Sequence, residues 1–395
     1  MNRFDAELQN RLGALREQNM YRELRRIDSP QSTRLLIEGK SFLNFSSNDY
    51  LGLANDPMLQ HAAMECLRSF GCGSGASRLV CGSLAPFHEL EAELAAFKST
   101  EAALSFPSGF AAAIGTIPAI IGRDDIVILD KLVHASIVDA ARLSGAKLRV
   151  FAHNDLDDLE NKLRWAAPQS ASAPRSVLVV TESIFSMDGD RAPLKEIVAL
   201  KEKHGAWLMV DEAHATGIHG RQGRGVADEL GVSDHVEIQM GTLGKALGAS
   251  GGYICGSRGL IETLINRARS FVFSTAPLPA AAAAASAGLS IIQSARGDRL
   301  RQTLQQRVSE LNTAVSKSTC DGGAIVPIMI GDERTAQAAA DALRQHGIYV
   351  PAIRFPTVAR GAARLRVTVT ASHTAEDINI LVAALRDISQ NPAVA

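Results

Sequence analysis

The segment Trp207-Leu-Met-Val-Asp-Glu-Ala-His214 is a short apolar run that ends in two acidic residues and a histidine. Similar apolar runs lie before and after it, and segments with helical spacing, such as 134–143, 156–165 and 194–204, separate them. Buried strands that alternate with helices of about ten to fifteen residues are typical of βαβ units in a mostly parallel sheet. We therefore predict an α/β fold whose seven strands lie at 102–106, 126–129, 148–151, 177–181, 207–210, 238–240 and 252–255.

The two ends of the chain show other patterns. The pattern of roughly the first forty residues predicts an amphipathic helix followed by a hairpin at 35–44. The turn of this hairpin is predicted at Glu38-Gly39-Lys40. After Phe273 we predict an alanine-rich helix to about residue 293, followed by a compact α+β region. Its predicted elements are helices at 298–316, 334–345 and 375–388, with Asp298 as the N-cap of the first, and strands at 325–330, 349–353 and 364–370. The predicted domains are an N-terminal arm (1–46), a large α/β domain (47–285) and a small C-terminal α+β domain (286–395).

The composition is typical of an enzyme that acts on small molecules. The 395 residues include 41 basic and 42 acidic side chains, so a net charge of -1 provides no basic field for nucleic acid. Aromatic residues make up 5%, which is low for a surface on which bases stack. The uncharged stretches 102–122 and 271–295 contain prolines and many small residues, so we interpret them as buried helix and loop. We therefore predict a cytoplasmic protein without a nucleic-acid or membrane partner.

The cysteines give no sign of a disulfide framework or a zinc site. There are five of them and no CxxC pair: Cys66, Cys72, Cys81, Cys255 and Cys320. An odd number without paired spacing predicts a reducing compartment and no bound metal. Cys72 and Cys81 lie in a glycine-rich segment, and we interpret them as small buried side chains, with reactive thiols as the alternative.

Two polar clusters follow predicted strands, where open α/β sheets bind their ligands. Lys245, in Thr242-Leu-Gly-Lys245, has an apolar setting that favours a neutral amine, as Schiff-base chemistry requires. A simple turn lysine is the alternative.

Asp211 ends its strand, where a carboxylate can hold a proton on the ring nitrogen of a cofactor, and His214 would face the same cavity. The letters DEAH also occur in helicases, but no GxxxxGK[ST] loop precedes them here.

Two further clusters complete the pattern. Gly109 and Phe110 open a helix after the strand 102–106, where backbone amides can bind phosphate. His134 follows the strand 126–129 and could stack on a flat ring, with a structural histidine as the alternative. A Schiff-base lysine, a carboxylate 34 positions before it, a phosphate cup and a stacking ring together predict pyridoxal phosphate as the cofactor.

Longer strings extend this pattern over almost the whole chain. They are Asn44-Phe-Ser-Ser-Asn-Asp-Tyr-Leu-Gly-Leu53, Gly73-Ser-Gly-Ala-Ser-Arg78, His88-Glu-Leu-Glu91, ESIFSMDGD (182–190), VDEAHATG (210–217) and Phe273-Ser-Thr275. On these strings the sequence resembles the α-oxoamine synthases, which are fold-type I pyridoxal-phosphate enzymes. Members of that family condense an amino acid with an acyl thioester and release carbon dioxide, so the resemblance implies a pyridoxal-phosphate-dependent acyltransferase.

The resemblance also implies a role for individual residues. It implies that the catalytic residues are Lys245, His134 and Asp211, with Lys245 binding the cofactor and removing the Cα proton. Ser274 and Thr275 match residues that reach the phosphate of the neighbouring subunit, which implies a homodimer with shared active sites. The implied cofactor-binding residues are Gly109, Phe110, His134, Ser186, Asp211, His214, Thr242, Lys245, Ser274 and Thr275.

The C-terminal string Ala352-Ile-Arg-Phe-Pro-Thr-Val358 is most similar to that of members that join L-alanine to a pimeloyl thioester in biotin biosynthesis. This similarity implies that Arg354 holds the alanine carboxylate and that Asn48 and Thr357 also bind substrate. Arg22 would bind the distal acyl carboxylate, with a solvated helix charge as the alternative.

Several alternatives stay open at this stage. The family pattern has an asparagine where this chain has Ala113, and often a second proline where it has Phe355. A member of the family that uses glycine or serine is one alternative function, and an aminotransferase or a catalytically silent subunit are two others. The thioester would be carried on coenzyme A or on acyl carrier protein.

Overall fold

A computed structural model describes residues 2–18, 20–167, 175–315 and 323–390. The chain forms two compact units, one of Asn48–Gln305 and the other of Met1–Ser47 together with Gln306–Ala395. The domain boundaries at residues 46 and 285 stay a prediction. Cys320 and the end of the predicted helix 298–316 lie outside the described residues.

The described residues include the seven strands predicted between residues 102 and 255, and further helices that the sequence analysis did not predict. The strands are β1 (Arg34–Ile37), β2 (Lys40–Asn44), β3 (Ala102–Phe106), β4 (Ile126–Asp130), β5 (Lys147–Phe151), β6 (Val177–Glu182), β7 (Trp207–Asp211), β8 (Ile238–Thr242), β9 (Gly252–Gly256), β10 (Ile325–Gly331), β11 (Ile348–Tyr349), β12 (Ala352–Ile353) and β13 (Ala363–Thr368). The α-helices are α1 (Arg3–Glu17), α2 (Pro57–Phe70), α3 (Ala85–Lys98), α4 (Gly109–Ile120), α5 (Ala135–Ser144), α6 (Leu156–Ala166), α7 (Leu194–Lys203), α8 (Val226–Glu229), α9 (Arg258–Arg267), α10 (Arg269–Val272), α11 (Pro279–Ile292), α12 (Ala295–Ala314), α13 (Glu333–Gln345) and α14 (Ala375–Ser389).

The unit Asn48–Gln305 is built on a seven-stranded sheet. Its strand order is β3-β9-β8-β7-β6-β4-β5, and β9 is antiparallel to both of its neighbours while the other pairs are parallel. All residues of β4 and β6 are buried, as expected for parallel strands covered on both faces. The mostly parallel seven-stranded sheet predicted from the sequence is therefore confirmed.

The unit of residues 1–47 and 306–395 contains two small sheets. β1 and β2 pair as an antiparallel hairpin, and β11 adds to β2 in parallel. The two loop residues, Glu38 and Gly39, both have positive φ (51° and 76°), which is the conformation of a two-residue type I′ turn. This confirms the predicted hairpin. The second sheet has the order β10-β13-β12 and is antiparallel.

Three predictions about this part of the chain and the cysteines are wrong. The single strand predicted at 349–353 is two strands in different sheets, because Pro351 has no N–H to continue a ladder. Asp298 is not an N-cap, because α12 begins three residues earlier and Ser294 Oγ accepts from the N–H groups of Arg296 and Gly297 (3.2 and 3.4 Å).

The third concerns the cysteines of the glycine-rich segment. Cys72 and Cys81 are exposed, whereas Cys66 and Cys255 are buried. The segment that holds Cys72 and Cys81 is largely solvent-exposed and lies between α2 and α3. Among the described residues, no helix is both long enough and apolar enough to cross a membrane.

Candidate active site

Four adjacent parallel strands end in polar residues at the same edge of the large sheet. β4 ends at Asp130, β6 at Glu182, β7 at Asp211 and β8 at Thr242. Glu182 and Asp211 are direct partners in the ladder, so their side chains begin side by side. Ligands bind outside the carboxyl ends of strands in open α/β sheets, and this edge is therefore the candidate site.

Lys245 takes part in a chain of hydrogen bonds at this edge. Its Nζ lies 2.7 Å from His214 Nε2, and His214 Nδ1 lies 2.5 Å from the Tyr50 hydroxyl. The Tyr50 hydroxyl in turn donates to Asn48 Oδ1 (3.3 Å). Because the Tyr50 hydroxyl donates to Asn48, it accepts from His214 Nδ1, so the neutral ring carries its proton on Nδ1 and Nε2 accepts from the Lys245 amine. The chain fixes the tautomer of a histidine that contacts the lysine amine.

Asp211 is a buried carboxylate in the electrostatic field of Lys245. It is 6% exposed, and its Oδ1 accepts from the N–H of Ala213 at 2.9 Å. Burial raises the pKa of Asp211, while the charge of Lys245 and the Ala213 N–H oppose that rise. A cationic ring nitrogen beside this carboxylate would stabilise its ionised form. The position suits a residue that keeps a heterocycle protonated.

The start of α4 lies beside the end of β8. Ser108 is the N-cap of α4 and its Oγ accepts from the N–H of Ala111 (3.1 Å). A Cβ atom placed on Gly109 would lie 3.8 Å from Thr242 Cβ, so the first amides of α4 and the Thr242 side chain share one region. A Cβ on Gly252 would lie 2.5 Å from the Ser108 carbonyl, which explains why β9 begins with glycine. These groups form a candidate phosphate site.

Glu182, which the sequence analysis did not identify as a site residue, hydrogen-bonds to the backbone of both His134 and Ser186. Glu182 is 1% exposed, and its two oxygens accept from the backbone N–H groups of His134 (2.5 Å) and Ser186 (3.2 Å). His134 Nδ1 accepts from the N–H of Ser136 (3.2 Å), which orients the ring. Burial and the neighbouring Asp211 raise the pKa of Glu182 well above its usual range. Its position at the end of β6, matching that of Asp211 on β7, is the signal that could have identified it.

Ser274 and Thr275 lie on a segment that runs along the glycine-rich loop of the same chain. Thr275 forms an isolated antiparallel bridge with Ser77, and Ala276 N donates to Ala76 O at 3.0 Å. Ser274 is half-buried and Thr275 is exposed. Thr275 is therefore accessible at the surface of one chain.

The predicted substrate residues Arg22, Arg354 and Thr357 line a cavity of about 600 Å³ in the unit of residues 1–47 and 306–395. An Arg22 guanidinium nitrogen donates to Thr357 Oγ1 (3.2 Å), and one of Arg354 donates to the Tyr21 carbonyl (3.3 Å). With Arg344 also in the lining, the cavity suits a ligand that carries carboxylates.

The two departures from the family pattern have different surroundings. Ala113 is fully buried in α4 within the hydrophobic core, and its side chain is therefore packed against protein. Phe355 is half-buried, and the Arg360 guanidinium lies 4.3 Å from the centre of its ring.

The groups at the sheet edge fit the reactive parts of pyridoxal phosphate. The Lys245 amine suits its aldehyde, the buried Asp211 carboxylate its ring nitrogen, and the start of α4 with Thr242 its phosphate. The tautomer of His214 leaves Nε2 facing the Lys245 amine, which is the group that would bind the cofactor aldehyde.

Comparisons with known proteins agree with this fit. The model of the family "Aminotransferase class I and II" matches residues 40–385. An 8-amino-7-oxononanoate synthase of Geobacter sulfurreducens is 46% identical over 383 residues, covering 96% of this chain and 97% of the relative. A solved serine palmitoyltransferase from S. paucimobilis, with a bound PLP–myriocin aldimine, has a TM-score of 0.89 and 29% identity over 98% of each chain. An 8-amino-7-oxononanoate synthase structure from Francisella tularensis has a TM-score of 0.75 and 28% identity, covering 88% of this chain and 98% of that one.

The chain belongs to the class I and II aminotransferase family and has its fold-type I architecture. It is a pyridoxal-phosphate-dependent enzyme. Within that family it is one of the α-oxoamine synthases, the group that its curated relatives and its structural neighbours share.

Proposed function

We propose that this enzyme joins L-alanine to a pimeloyl thioester and releases carbon dioxide and the free thiol, giving 8-amino-7-oxononanoate for biotin biosynthesis. The observation that carries the proposal is the 46% identity to a curated 8-amino-7-oxononanoate synthase over 96% of the chain. The cation-rich cavity of Arg22 and Arg354 supports it, because both substrates carry a carboxylate.

Bound pyridoxal phosphate supplies an electron sink for the pair left at the alanine Cα. Lys245 Nζ would hold the cofactor through its aldehyde, and once the alanine amino group had displaced it, the freed amine would take the Cα proton. Asp211 keeps the proton on the ring nitrogen, and its burial strengthens that interaction because the local dielectric constant is low. His214, held in one tautomer by Tyr50, directs Nε2 toward the lysine amine and the ring oxygen.

The other predicted residues bind and orient. The amides of Gly109 and Phe110, with Thr242, hold the phosphate, and His134 stacks on the ring. Ser186 contacts the ring oxygen or the thioester. Near-attack geometry of this kind contributes much of an enzyme's rate, because it replaces a bimolecular encounter.

Different substrate residues bind the alanine carboxylate and the distal acyl carboxylate. Arg354 binds the alanine carboxylate with both guanidinium nitrogens, and Asn48 lies in the same hydrogen-bonded chain as the lysine. Arg22 and Thr357, which are already hydrogen-bonded to each other, bind the distal acyl carboxylate.

We also propose that the enzyme is a cytoplasmic homodimer with shared active sites. Ser274 and Thr275 of one subunit would bind the cofactor phosphate of the other, and the exposure of Thr275 in the single chain is compatible with that reach. Neither nucleic acid nor a membrane is a proposed partner. The thioester carrier is coenzyme A or acyl carrier protein.

The experiment that tests the function is a substrate panel with purified holoenzyme. Pimeloyl-CoA is combined in turn with L-alanine, glycine and L-serine, and free thiol and product mass are measured. We expect the highest kcat/KM with L-alanine and the mass of 8-amino-7-oxononanoate. A preference for glycine or serine would contradict the proposal and favour another α-oxoamine synthase, and formation of a keto acid from alanine would favour an aminotransferase.

A further inference from the structure

A second group of charged side chains lies beside the ends of β4 and β6. The His153 imidazole lies between two carboxylates: Nδ1 is 2.9 Å from Asp130 Oδ1, and Nε2 is 2.8 Å from Asp190 Oδ2. Since both ring nitrogens face carboxylate oxygens, both donate and the ring is an imidazolium. Partial burial opposes this charge, but the hydrogen bonds to Asp130 and Asp190 raise the pKa of His153 to about 10.

The two carboxylates belong to different segments of the chain. Asp130 is the last residue of β4 and begins the segment 130–134. Asp190 is the last residue of the loop 183–190 that follows β6. His153 therefore joins the beginning of one segment to the end of the other.

Glu182 joins the same two segments at other positions, at the end of 130–134 and in the middle of the loop. Its Oε1 accepts from the N–H of His134, and its Oε2 accepts from the N–H of Ser186. The segment 130–134 is thus held by His153 where it begins and by Glu182 where it ends. The loop that carries Ser186 is held by the same two side chains.

The surroundings of His153 restrict its movement. Asn154, which has a positive φ of 55°, donates from its backbone N–H to Asp130 (2.9 Å) and from Nδ2 to Asp190 (3.0 Å). The fully buried ring of Phe185 meets the His153 ring edge to face, with 4.4 Å between the ring centres. The two carboxylates are therefore held by neighbouring residues as well as by the imidazolium.

We propose that His153 is a positioning residue, whose hydrogen bonds to Asp130 and Asp190 fix the segments that carry His134 and Ser186 and thereby orient both side chains toward the cofactor. This inference rests on the proposed function, which places those two side chains at the cofactor. A neutral side chain cannot replace the imidazolium, because a neutral imidazole has one donor nitrogen and a glutamine amide has one as well.

The test compares the holoenzymes of the wild type and His153→Gln. The glutamine amide reaches one carboxylate and leaves the other without its partner. We expect a changed visible circular dichroism band per bound cofactor, and a rate of alanine Cα hydrogen–deuterium exchange that is roughly tenfold lower or more. The matched control is His235→Gln, because His235 is half-exposed and pairs only with the surface residue Glu202 among the contacts described. The control should leave both measurements unchanged.

Asp190→Asn is the second variant, since it keeps an acceptor oxygen and removes one charge. It should change the dichroism band in the same direction as His153→Gln, by a smaller amount. A lower melting temperature with unchanged dichroism and exchange in both variants would show a structural role only and would overturn the proposal. If the wild type itself does not exchange the Cα proton, the proposed function is wrong, and the dichroism comparison still decides the role of His153.

Discussion

At the scale of single residues, the site depends on a half-buried lysine and a buried carboxylate. Lys245 donates to a histidine whose other nitrogen is held by Tyr50, and Asp211 is 6% exposed at the end of β7. The charge of Lys245 lowers the pKa of Asp211, against the effect of burial, which raises it. Their protonation states are therefore linked.

Replacement of Asp211 by asparagine tests the role of the carboxylate. A neutral amide does not hold a proton on the ring nitrogen, so we expect activity to fall by roughly 10³-fold or more, as for other catalytic carboxylates replaced by amides. The measurement is alanine Cα deuterium exchange together with turnover. Glu202→Gln, which alters a half-exposed surface carboxylate, is the control. Near-normal exchange in Asp211→Asn would refute the assigned role.

The apolar runs before them make Lys245 and Asp211 candidate site residues in the sequence, because an apolar run that ends in polar residues is a local pattern. The sequence did not predict the parts played by Glu182, Tyr50 and His153. Their partners lie 48 positions away for Glu182, 164 for Tyr50, and 23 and 37 for His153. Such contacts depend on the order of the strands in the sheet, and a local sequence pattern does not predict that order.

At the scale of elements, the candidate phosphate site depends on the close approach of β9 to the start of α4. Gly252 makes this possible because any side chain would meet the backbone of Ser108 and Gly109 within 2.6 Å. The seven strands could be predicted from their apolar runs, whereas their order in the sheet could not. Where the prediction failed, at 349–353, a proline interrupts an apolar run and divides it between two sheets.

Gly252→Ala tests this close approach. The added methyl group has to displace backbone, so we expect the free energy of unfolding to fall by about 1–3 kcal/mol and cofactor affinity to fall with it. The measurements are urea unfolding and cofactor titration. Gly259→Ala is the matched control, because nothing lies within 4 Å of the new methyl group, which sits in the helix α9. If both variants bind the cofactor like the wild type, the phosphate site does not depend on this contact.

His373 provides a pH-dependent contact between β2 and the segment after β13. Its Nδ1 accepts from the N–H of Thr370 (2.9 Å), its Nε2 donates to the Asn44 carbonyl (2.9 Å), and its ring stacks on Phe45. Burial lowers the pKa of His373 below its ordinary value of 6.5, so the ring is neutral in the folded state. The unfolded chain binds the proton more readily.

This contact should therefore contribute fully above about pH 6.5 and weaken as the pH falls toward the lowered pKa. We expect the unfolding free energy of the wild type to decrease more between about pH 8 and about pH 5 than that of His373→Gln, which does not titrate. Urea unfolding at each pH measures the difference. His346→Gln, at a half-exposed ion pair with Asp387, is the control. Equal decreases in the wild type and His373→Gln would exclude the assigned protonation state.

At the scale of the whole molecule, the proposed shared active site requires two copies of the chain. Thr275 is exposed on a segment that runs beside Ser77 of its own chain. In the proposed dimer, Thr275 binds the cofactor phosphate of the partner subunit. Subunit sharing of this kind makes each site depend on both chains of a two-fold dimer.

Mixed dimers of Lys245→Ala and Thr275→Ala chains test this sharing. Each variant alone should be inactive, the first because it lacks the amine and the second because it loses cofactor affinity. A heterodimer would hold one site with both changes and one with neither, so it should recover about half of the wild-type activity per dimer, as two-fold symmetry requires. Subunit exchange is followed with a tag on one chain. Heterodimers that form and remain inactive would place both residues in the site of a single chain.

The central claim is that the enzyme forms its carbon–carbon bond at the alanine Cα with loss of the alanine carboxyl group. The most direct measurement supplies L-alanine labelled with ¹³C in the carboxyl group together with pimeloyl-CoA, and follows labelled carbon dioxide, free thiol and product mass in one reaction. The account predicts equal amounts of labelled carbon dioxide and thiol, and an unlabelled product with the mass of 8-amino-7-oxononanoate. Thiol release without labelled carbon dioxide, or a product that keeps the label, would contradict it.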